Sequence, residues 1–297
     1  MSAGTETGIG LRVSTPVVAE EVAPPTLSPG GRFRWSIVIG PLVTLALFIA
    51  FWEYMHRDGM RRFFNKPGFL VPSPATVIDQ SFLDDVVRIQ MFKGLGWTAL
   101  SAFIGLAIAI VVGIGIAVLM ATAEWIERSM YPYLVALQAI PVLAIVPLIG
   151  SVFGGGIGSR IFVCVMISIF PIVTNTLFGL TSVDPAQHDL FTLRQVSRRT
   201  RLWKLQFPAA MPAIFTGFRI SAGLAVVGAV VGEQFFREGD KPGIGVVVEQ
   251  FRQKARFPQV YGGLMVAAAL GIAVFFLFGL LGKLVVGKWY EPSRRSS

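Results

Sequence analysis

The chain has 297 residues, of which 54% are hydrophobic and only 14% are charged, whereas about a quarter of the residues of an ordinary soluble domain are charged. With a mean hydropathy of +0.66, the polar residues are too few to cover a soluble core, so the composition predicts a polytopic membrane protein. The formal charge of +9 fits basic flanks around hydrophobic spans and needs no nucleic-acid partner.

The chain begins with a segment unlike the rest. Met1 to Arg34 is rich in proline and shows no helical periodicity, so we expect a disordered, cytosolic N-terminal tail. The first strong apolar run begins only after Trp35, too late for a cleavable signal peptide, and we expect it to be retained as a membrane span.

Six stretches are apolar enough to cross a bilayer of about 30 Å as helices of about 20 residues. They are Ser36 to Tyr54, Gly94 to Ala121, Tyr131 to Phe153, Arg160 to Leu180, Ala213 to Phe236 and Val260 to Val286. The predicted fold class is therefore an all-α polytopic membrane protein with about six transmembrane helices. We expect Pro141 and Pro147 to interrupt the third span and Pro171 the fourth, either as packing kinks or beside a pathway.

The domain organisation follows from these spans. We expect the tail at 1–34, the first span with an external amphipathic segment at 35–93, a transmembrane core at 94–288 that contains a cytosolic loop at 181–212, and a C-terminal tail at 289–297. Both tails should be cytosolic because the number of spans is even. Basic residues divide almost evenly between the two sides, so they favour this orientation only through the cluster in the loop.

Two local patterns predict how the segments fold and pack. Small residues four apart in the second span (Gly105, Ala109, Gly113 and Ala117) and in the fifth (Gly228 and Gly232) predict close helix contacts, within one subunit or between two. Before the second span, Ser73 and Pro74 predict the start of a helix. Val77, Ser81, Val86 and Ile89 would form one face of that interfacial helix. Between the third and fourth spans, the run from Gly154 to Gly158 predicts a tight turn.

The loop between the fourth and fifth spans is too long and too patterned for a simple connector. Five of the 26 basic residues lie between Arg194 and Lys204, and leucines are spaced among them. This pattern predicts one or two short amphipathic helices along the membrane, ended by Pro208 and Pro212. They would either rest on anionic headgroups or dock a cytosolic partner.

Polar residues inside the spans are candidates for lining a path or for bonding a neighbouring helix. They are Gln138, Ser168, Thr174, Asn175, Thr176 and Glu233. For Glu233, an arginine of a second subunit is a possible partner. We expect Arg219 to extend its side chain to the cytosolic surface.

Chemistry on this chain is not indicated. Cys164 is the single cysteine, and His56 and His188 have no further ligand at metal-binding spacing. No G-x-x-x-x-G-K-[ST] phosphate loop is present. We therefore expect no enzyme, no metal site, no cofactor and no ATP-binding motif on this chain.

Four blocks resemble permease subunits of bacterial ABC importers, in the branch for nitrate, sulfonate, taurine and thiamine or riboflavin precursors. One is the loop itself, which resembles the "EAA" coupling segment. The others are "LVPSPATVI", "LQAIPVLAIVPLIGSVFGGGIGSRIFVCVMISIFPIVTNTLFGLTSVDP" and "AVVGAVVGEQFFREGDKPGIGVVV". In the last of these blocks, the stretches "VVGE" and "GDKPGIG" favour the vitamin-precursor relatives.

The resemblance implies a coupling segment for an ATPase. Counting back from Pro208, the motif glutamate falls on Asp189, its two alanines on Leu190 and Phe191, and its glycine on Gln195. Of these positions, only the acidic one has a residue of the same chemical type as the motif. The implied coupling residues are Asp189, Leu190, Gln195, Arg198, Arg199, Arg201, Lys204, Pro208 and Pro212.

The resemblance also implies the surroundings of the chain. Its function would be to form the path for a small polar or ionic solute in the bacterial cytoplasmic membrane. The implied partners are a pair of ABC ATPase subunits that hold ATP and Mg²⁺, a second permease copy forming a homodimer, and an external solute-binding protein. The alternative is a secondary transporter or channel that works without ATP, which would not need the basic loop.

Overall fold

The computed structural model describes residues 35–237 and 241–287, and every regular element within these ranges is a helix. The tails expected at 1–34 and 289–297 lie outside the described residues. The chain divides into two units, Met1–Leu47 and Phe48–Ser297. The helices are α1 (Trp35–Tyr54), α2 (Met60–Phe64), α3 (Pro74–Ile78), α4 (Asp85–Thr122), α5 (Glu124–Ala139), α6 (Val142–Phe153), α7 (Ile157–Thr181), α8 (Pro185–Leu193), α9 (Arg198–Arg201), α10 (Phe207–Phe235), α11 (Ile244–Gln253) and α12 (Phe257–Val286).

The six expected spans are recovered, five of them as single helices. Within the described residues, five helical runs are long and apolar enough to cross a membrane, and α5 with α6 makes a sixth if that bent pair is one span. The fold class predicted from the sequence is confirmed. Both α4 and α10 begin several residues before the predicted span boundaries.

The interfacial helix predicted before the second span is divided between two helices, because it is interrupted at Asp84 and its second part belongs to α4. The predicted start is confirmed, because the Ser73 hydroxyl accepts a hydrogen bond from the Thr76 amide at 3.2 Å. The prediction that Ser81 and Val86 share one face of a helix is wrong, because Ser81 is buried but Val86 is 76% exposed. Asp84 interrupts the helix, since its carboxylate accepts from the amides of Val86 and Val87 at 2.9 and 3.2 Å and so begins α4.

Small residues let α4, α7 and α10 pack closely within one chain. A Cβ atom at Gly113 would lie 2.8 Å from the Ile172 side chain, and one at Gly228 would lie 2.9 Å from Cα of Cys164. The Ser221 hydroxyl donates to the Ser168 carbonyl at 2.7 Å and bonds α10 to α7. These contacts answer the question that the sequence left open, because both predicted faces are used inside the subunit.

The third predicted span is sharply broken. Its two halves, α5 and α6, meet at an angle of 96°. Ile140 has ψ of 123° and ends α5, because the ring of Pro141 disfavours helical geometry at the residue before it. Pro147 and Pro171 were also expected to interrupt their spans, but both lie inside continuous helices. The predicted turn at Gly154 is present, with φ of +77°.

The contacts define two ends of the bundle. α4 and α7 run in parallel, because Gly105 contacts Cys164 and Gly113 contacts Ile172. α10 runs antiparallel to α7, because Ala210 contacts Gly179 and Gly228 contacts Cys164. We call the end where α7 finishes and α10 begins the loop end, and the opposite one the far end. At the far end α11 covers the bundle, with Ile244, Val247 and Phe251 packed against Val87 and Met91. No element was predicted for this segment.

Candidate functional site

The loop between α7 and α10 forms two helices joined by a tight turn. Asp184 begins α8 by accepting a hydrogen bond from the Ala186 amide at 2.9 Å. Ser197 begins α9 in the same way, through the Thr200 amide at 3.3 Å. Short side chains that accept backbone hydrogen bonds are the usual starts of helices, so the loop has a defined local structure and not a random path.

Gln195 makes the turn between α8 and α9 in a conformation that favours glycine. Its φ is +52°, and the turn is closed by a hydrogen bond from the Val196 amide to the Phe191 carbonyl at 3.1 Å. The alignment from Pro208 had placed the family's glycine at this position. The backbone therefore keeps the turn that glycine provides, although the residue is glutamine.

Replacing Gln195 with glycine is expected to raise the stability of the protein. The Cβ of a non-glycine residue in left-handed geometry destabilises the folded state by roughly 1–2 kcal/mol. Glycine removes this strain, but it makes the unfolded chain more flexible and so lowers the free energy of unfolding by about 0.4–1 kcal/mol. The net gain is about 0.5–1 kcal/mol, and Gln195→Val should instead lower stability. Thermal unfolding of the purified variants in one detergent measures both. Equal melting temperatures for the glycine and valine variants would contradict the strained turn.

The prolines at the start of the fifth span do not end the loop helices, as the sequence had suggested. Pro208 lies in the first turn of α10 and Pro212 lies inside α10. A wide helical turn at Leu202–Gln206 comes directly before Pro208, and its wider geometry accommodates a ring that would collide with the carbonyl four residues earlier. Consequently the helix continues without a break from Arg198 to Phe235.

The loop presents an exposed surface of mixed apolar and basic character. Leu190 is 53% exposed, Leu193 is 83% exposed and Trp203 is 58% exposed. The predicted coupling residues on this exposed surface are Asp189, Leu190, Gln195, Arg198, Arg199, Lys204 and Pro208. Arg201 and Pro212 are half-buried, and Arg201 donates to the Thr192 hydroxyl at 2.8 Å. No salt bridge to the basic residues of this loop occurs in the described ranges.

Sequence reasoning missed Leu193 and Trp203 as members of this surface. The leucines had been predicted only as apolar positions of one or two short amphipathic helices, and Leu190 alone of them was among the implied coupling residues. The turn at Gln195 separates α8 from α9, so one continuous apolar face does not form. The positive φ at that position could not be deduced from a glutamine.

The polar residues of the spans fall into two groups. Gln138 is exposed at the end of α5, two residues before the break, and Thr174 and Asn175 are half-buried on α7. Ser168, Thr176 and Glu233 have no exposed surface. These last three have no surface left to line a path in this conformation, and their positions favour helix packing.

Glu233 joins three segments at the far end of the bundle. The Thr98 hydroxyl lies 2.8 and 2.9 Å from the two carboxylate oxygens, and the Gly245 amide donates to Oε2 at 2.8 Å. Thr98 in turn accepts from the Ile244 amide at 2.8 Å. A Cβ at Gly243 would collide with the carboxylate. The glutamate therefore holds the start of α11 against α4 from within one chain.

Arg160 supports the same region from α7. Its Nε donates to the Phe236 carbonyl and its Nη1 to the Lys241 carbonyl, both at 2.9 Å, and its side chain is almost fully buried. The arginine near Glu233 thus belongs to the same subunit, whereas the sequence had suggested one from a second copy. Besides Glu233 itself, the sequence signal for this cluster was the small residues of "KPGIG".

The outer face of α11 is charged and exposed at the far end. Arg252 donates to both carboxylate oxygens of Glu249 at 2.6 Å, and Arg237 lies 3.5 Å away. The hydrogen bonds from Arg252 lower the pKa of Glu249 from 4.5 to about 2, so the carboxylate stays ionised at neutral pH. α11 thus offers a fixed charge pattern on the side opposite the loop.

Comparisons with known proteins agree with this arrangement. The family model for binding-protein-dependent transport system inner membrane components matches residues 105–290. The formylaminopyrimidine transport permease protein of Halalkalibacterium halodurans is 33% identical over 235 residues, which cover 79% of this chain and 90% of that protein. The riboflavin transport system permease protein of Chloroflexus aurantiacus is 31% identical over 263 residues, which cover 87% and 92%.

A solved structure shares the fold. It is a crystal structure of an amino acid ABC transporter with histidines, at a TM-score of 0.53 and 18% identity, covering 70% of this chain and 98% of that one. At this identity the likeness concerns the fold alone. With the family model and the two relatives, however, the assignment is complete: the chain belongs to the binding-protein-dependent transport system inner membrane components and is a permease subunit of an ABC importer.

Proposed function

We propose that this permease carries a small heteroaromatic solute of the vitamin-precursor kind. The observation that carries the proposal is the uncharged face of α5 beside the break. Tyr131, Val135 and Gln138 are exposed and lie four and three residues apart, so they share one side of the helix. A phenol ring and an amide can stack on and hydrogen-bond a flat heterocycle.

The charge of this segment supports the same solute class. Residues 129–153, which include the break, contain no acidic or basic residue. A path for nitrate or a sulfonate would gain from cations along it, and Arg160 is committed to two backbone carbonyls. The relatives named for formylaminopyrimidine and riboflavin support the proposal independently.

Uptake into proteoliposomes tests the proposal. The permease is reconstituted with its ATPase and binding protein, and ATP-driven uptake of labelled formylaminopyrimidine, riboflavin, nitrate and ethanesulfonate is measured. We expect uptake of a heteroaromatic compound only. Gln138→Ala should reduce it by up to about tenfold, the value of one hydrogen bond, whereas Gln80→Ala, an exposed glutamine before α4, should not. Uptake of the two anions alone would overturn the proposal.

The assembly is part of the proposal. Two copies of this chain would pair, since α6 and the end of α5 leave large apolar side chains exposed, among them Leu143, Leu148 and Val152. The loop surface would contact an ATPase in the cytosol, which places both termini on that side. ATP and Mg²⁺ would be bound by the ATPase, with no catalysis and no cofactor on the permease itself, in the bacterial cytoplasmic membrane.

Residue roles complete the proposal. Asp189, Leu190, Gln195, Arg198, Arg199, Lys204 and Pro208 would contact the ATPase together with Leu193 and Trp203. Arg201 would position α9 through Thr192, and Pro212 would stay inside α10. Gln138, Thr174 and Asn175 would line the path. The exposed face of α11 would meet the external binding protein.

A further inference from the structure

A cavity opens between α10 and α12 in the part of the membrane near the loop end. Its volume is about 260 Å³, and Thr216, Arg219, Gly279, Gly282 and Lys283 are among its lining residues. Gly279 and Lys283 lie within the last two turns of α12, about 10 Å and about 5 Å from its end at 1.5 Å per residue. The 30 residues of α12 extend about 45 Å, more than a hydrocarbon core of about 30 Å, so this part of the helix would lie near the boundary between acyl chains and headgroups.

Arg219 enters this cavity from α10 with an unpaired polar atom. Its guanidinium carbon lies 3.9 Å from the centre of the Phe275 ring, so the side chain rests against α12 and does not extend to the surface as expected from the sequence. Its Nε is enclosed and has no hydrogen-bond partner in the described part of the chain. A buried donor without a partner is costly, and the Arg219 side chain is part of the cavity wall, where an anion would compensate its charge.

The cavity is built around this cation. A Cβ at Gly279 would lie 3.4 Å from Nε of Arg219, and one at Gly282 would lie 3.2 Å from Cβ of Phe215. Glycine at these two positions leaves room beside the guanidinium. Larger residues would fill the space, so the opening is a property of the sequence of α12.

The charge of the cavity has one sign. Arg219 and Lys283 both line it, and none of the lining residues is acidic. No salt bridge to either cation is present among residues 35–237 and 241–287. Two cations at membrane depth attract an anion, and the rings of Phe215 and Phe278 form the apolar part of the wall.

We propose that this cavity binds the phosphate headgroup of an anionic phospholipid from the leaflet at the loop end. The phosphate would accept hydrogen bonds from Arg219 and Lys283, and an acyl chain would lie along the phenylalanine side. Basic pockets between transmembrane helices are suited to anionic headgroups. A lipid is preferred over a free anion because the cavity opens at the depth of the bilayer boundary and has both a charged and an apolar part.

Lipid-dependent stability tests the site. The detergent-purified permease is titrated with phosphatidylglycerol, phosphatidylcholine or inorganic phosphate, and thermal unfolding is followed. We expect phosphatidylglycerol to raise the melting temperature of the wild type more than the other two. Lys283→Gln should raise the half-saturating concentration of phosphatidylglycerol about fivefold. Adding Arg219→Gln should remove the increment, which is the extra rise in melting temperature that phosphatidylglycerol gives over phosphatidylcholine.

The controls separate this site from general attraction by charge. The double variant Lys254→Gln, Arg256→Gln removes the same charge from exposed positions at the far end. It should leave the increment in melting temperature with phosphatidylglycerol unchanged. Because Lys283 is exposed, its variant should fold even if the double variant does not. The proposal is overturned if Lys283→Gln titrates like the wild type, if the far-end variant loses the increment equally, or if inorganic phosphate reproduces it.

Discussion

Replacing Leu193 with glutamate is expected to abolish ATP-driven uptake while leaving the permease folded. Leu193 is 83% exposed on the last turn of α8, so the folded chain loses little when it becomes charged. In the assembled importer it would lie beneath the ATPase, where an unpaired carboxylate costs about 3 kcal/mol or more. That cost weakens the contact more than 100-fold. Co-purification of the ATPase and uptake measure the effect.

A matched leucine at the opposite end controls for this result. Leu83 is 68% exposed just before α4 at the far end. The Leu83→Glu permease should still co-purify with the ATPase, and the complex should still take up solute. Charge reversal at Arg198 and Arg199 should have a smaller effect, because exposed charges contribute less than a buried apolar contact. If the Leu193→Glu permease retains its ATPase, the loop surface is not the coupling site.

Replacing Glu233 with alanine should destabilise the far end of the permease by about 3 kcal/mol or more. The change leaves the Gly245 amide without its buried acceptor, which costs roughly 1–3 kcal/mol, while the Thr98 hydroxyl keeps the Gly94 carbonyl as an acceptor at 3.1 Å. Truncating a fully buried side chain of this size also leaves a cavity that costs roughly 2–5 kcal/mol. It also leaves Arg160 in an apolar site without the nearby carboxylate. Thermal unfolding and protease cleavage near α11 measure the loss.

Two further variants show whether the hydrogen bonds are responsible. Glu233→Gln keeps an acceptor for Gly245 and should recover most of the stability. Gln234→Ala changes the next, exposed residue and should have little effect. A role confined to lining the path would instead give reduced uptake with unchanged unfolding in the alanine variant.

The spans were predictable because their signal is local. About 20 apolar residues suffice to identify a membrane helix, and the small residues of α4 and α10 identified the contact faces. The stripe around Gly113 predicts a close contact, but only the fold shows that α7 of the same chain fills it.

The break in the third span was only partly predictable. Pro141, Pro147 and Pro171 look alike in the sequence, yet only Pro141 lies at a sharp bend. The outcome depends on whether neighbouring helices hold the chain straight around the proline ring, and that packing is not local information.

The packing around Glu233 and α11 at the far end illustrates a similar limit. Thr98, Arg160 and Gly245 meet Glu233 from positions as many as 135 residues apart, and none of them carries a distinctive motif alone. α11 was missed although Ile244, Val247, Val248 and Phe251 have the spacing of an amphipathic helix, a signal from which it could have been predicted. Residues of the loop were easier to single out because their charges lie close together in the chain.

The continuity of the helix from Arg198 to Phe235 has a mechanical consequence. Its 38 residues extend about 57 Å at 1.5 Å per residue, which exceeds the thickness of the bilayer. One end carries the surface that would meet the ATPase, and the other carries Glu233, which is bonded to the first turn of α11. The irregular turn at Leu202–Gln206 lies at the loop end, so the long section beyond it acts as a stiff rod. A tilt imposed at the loop end would therefore displace α11 at the far end within the same movement.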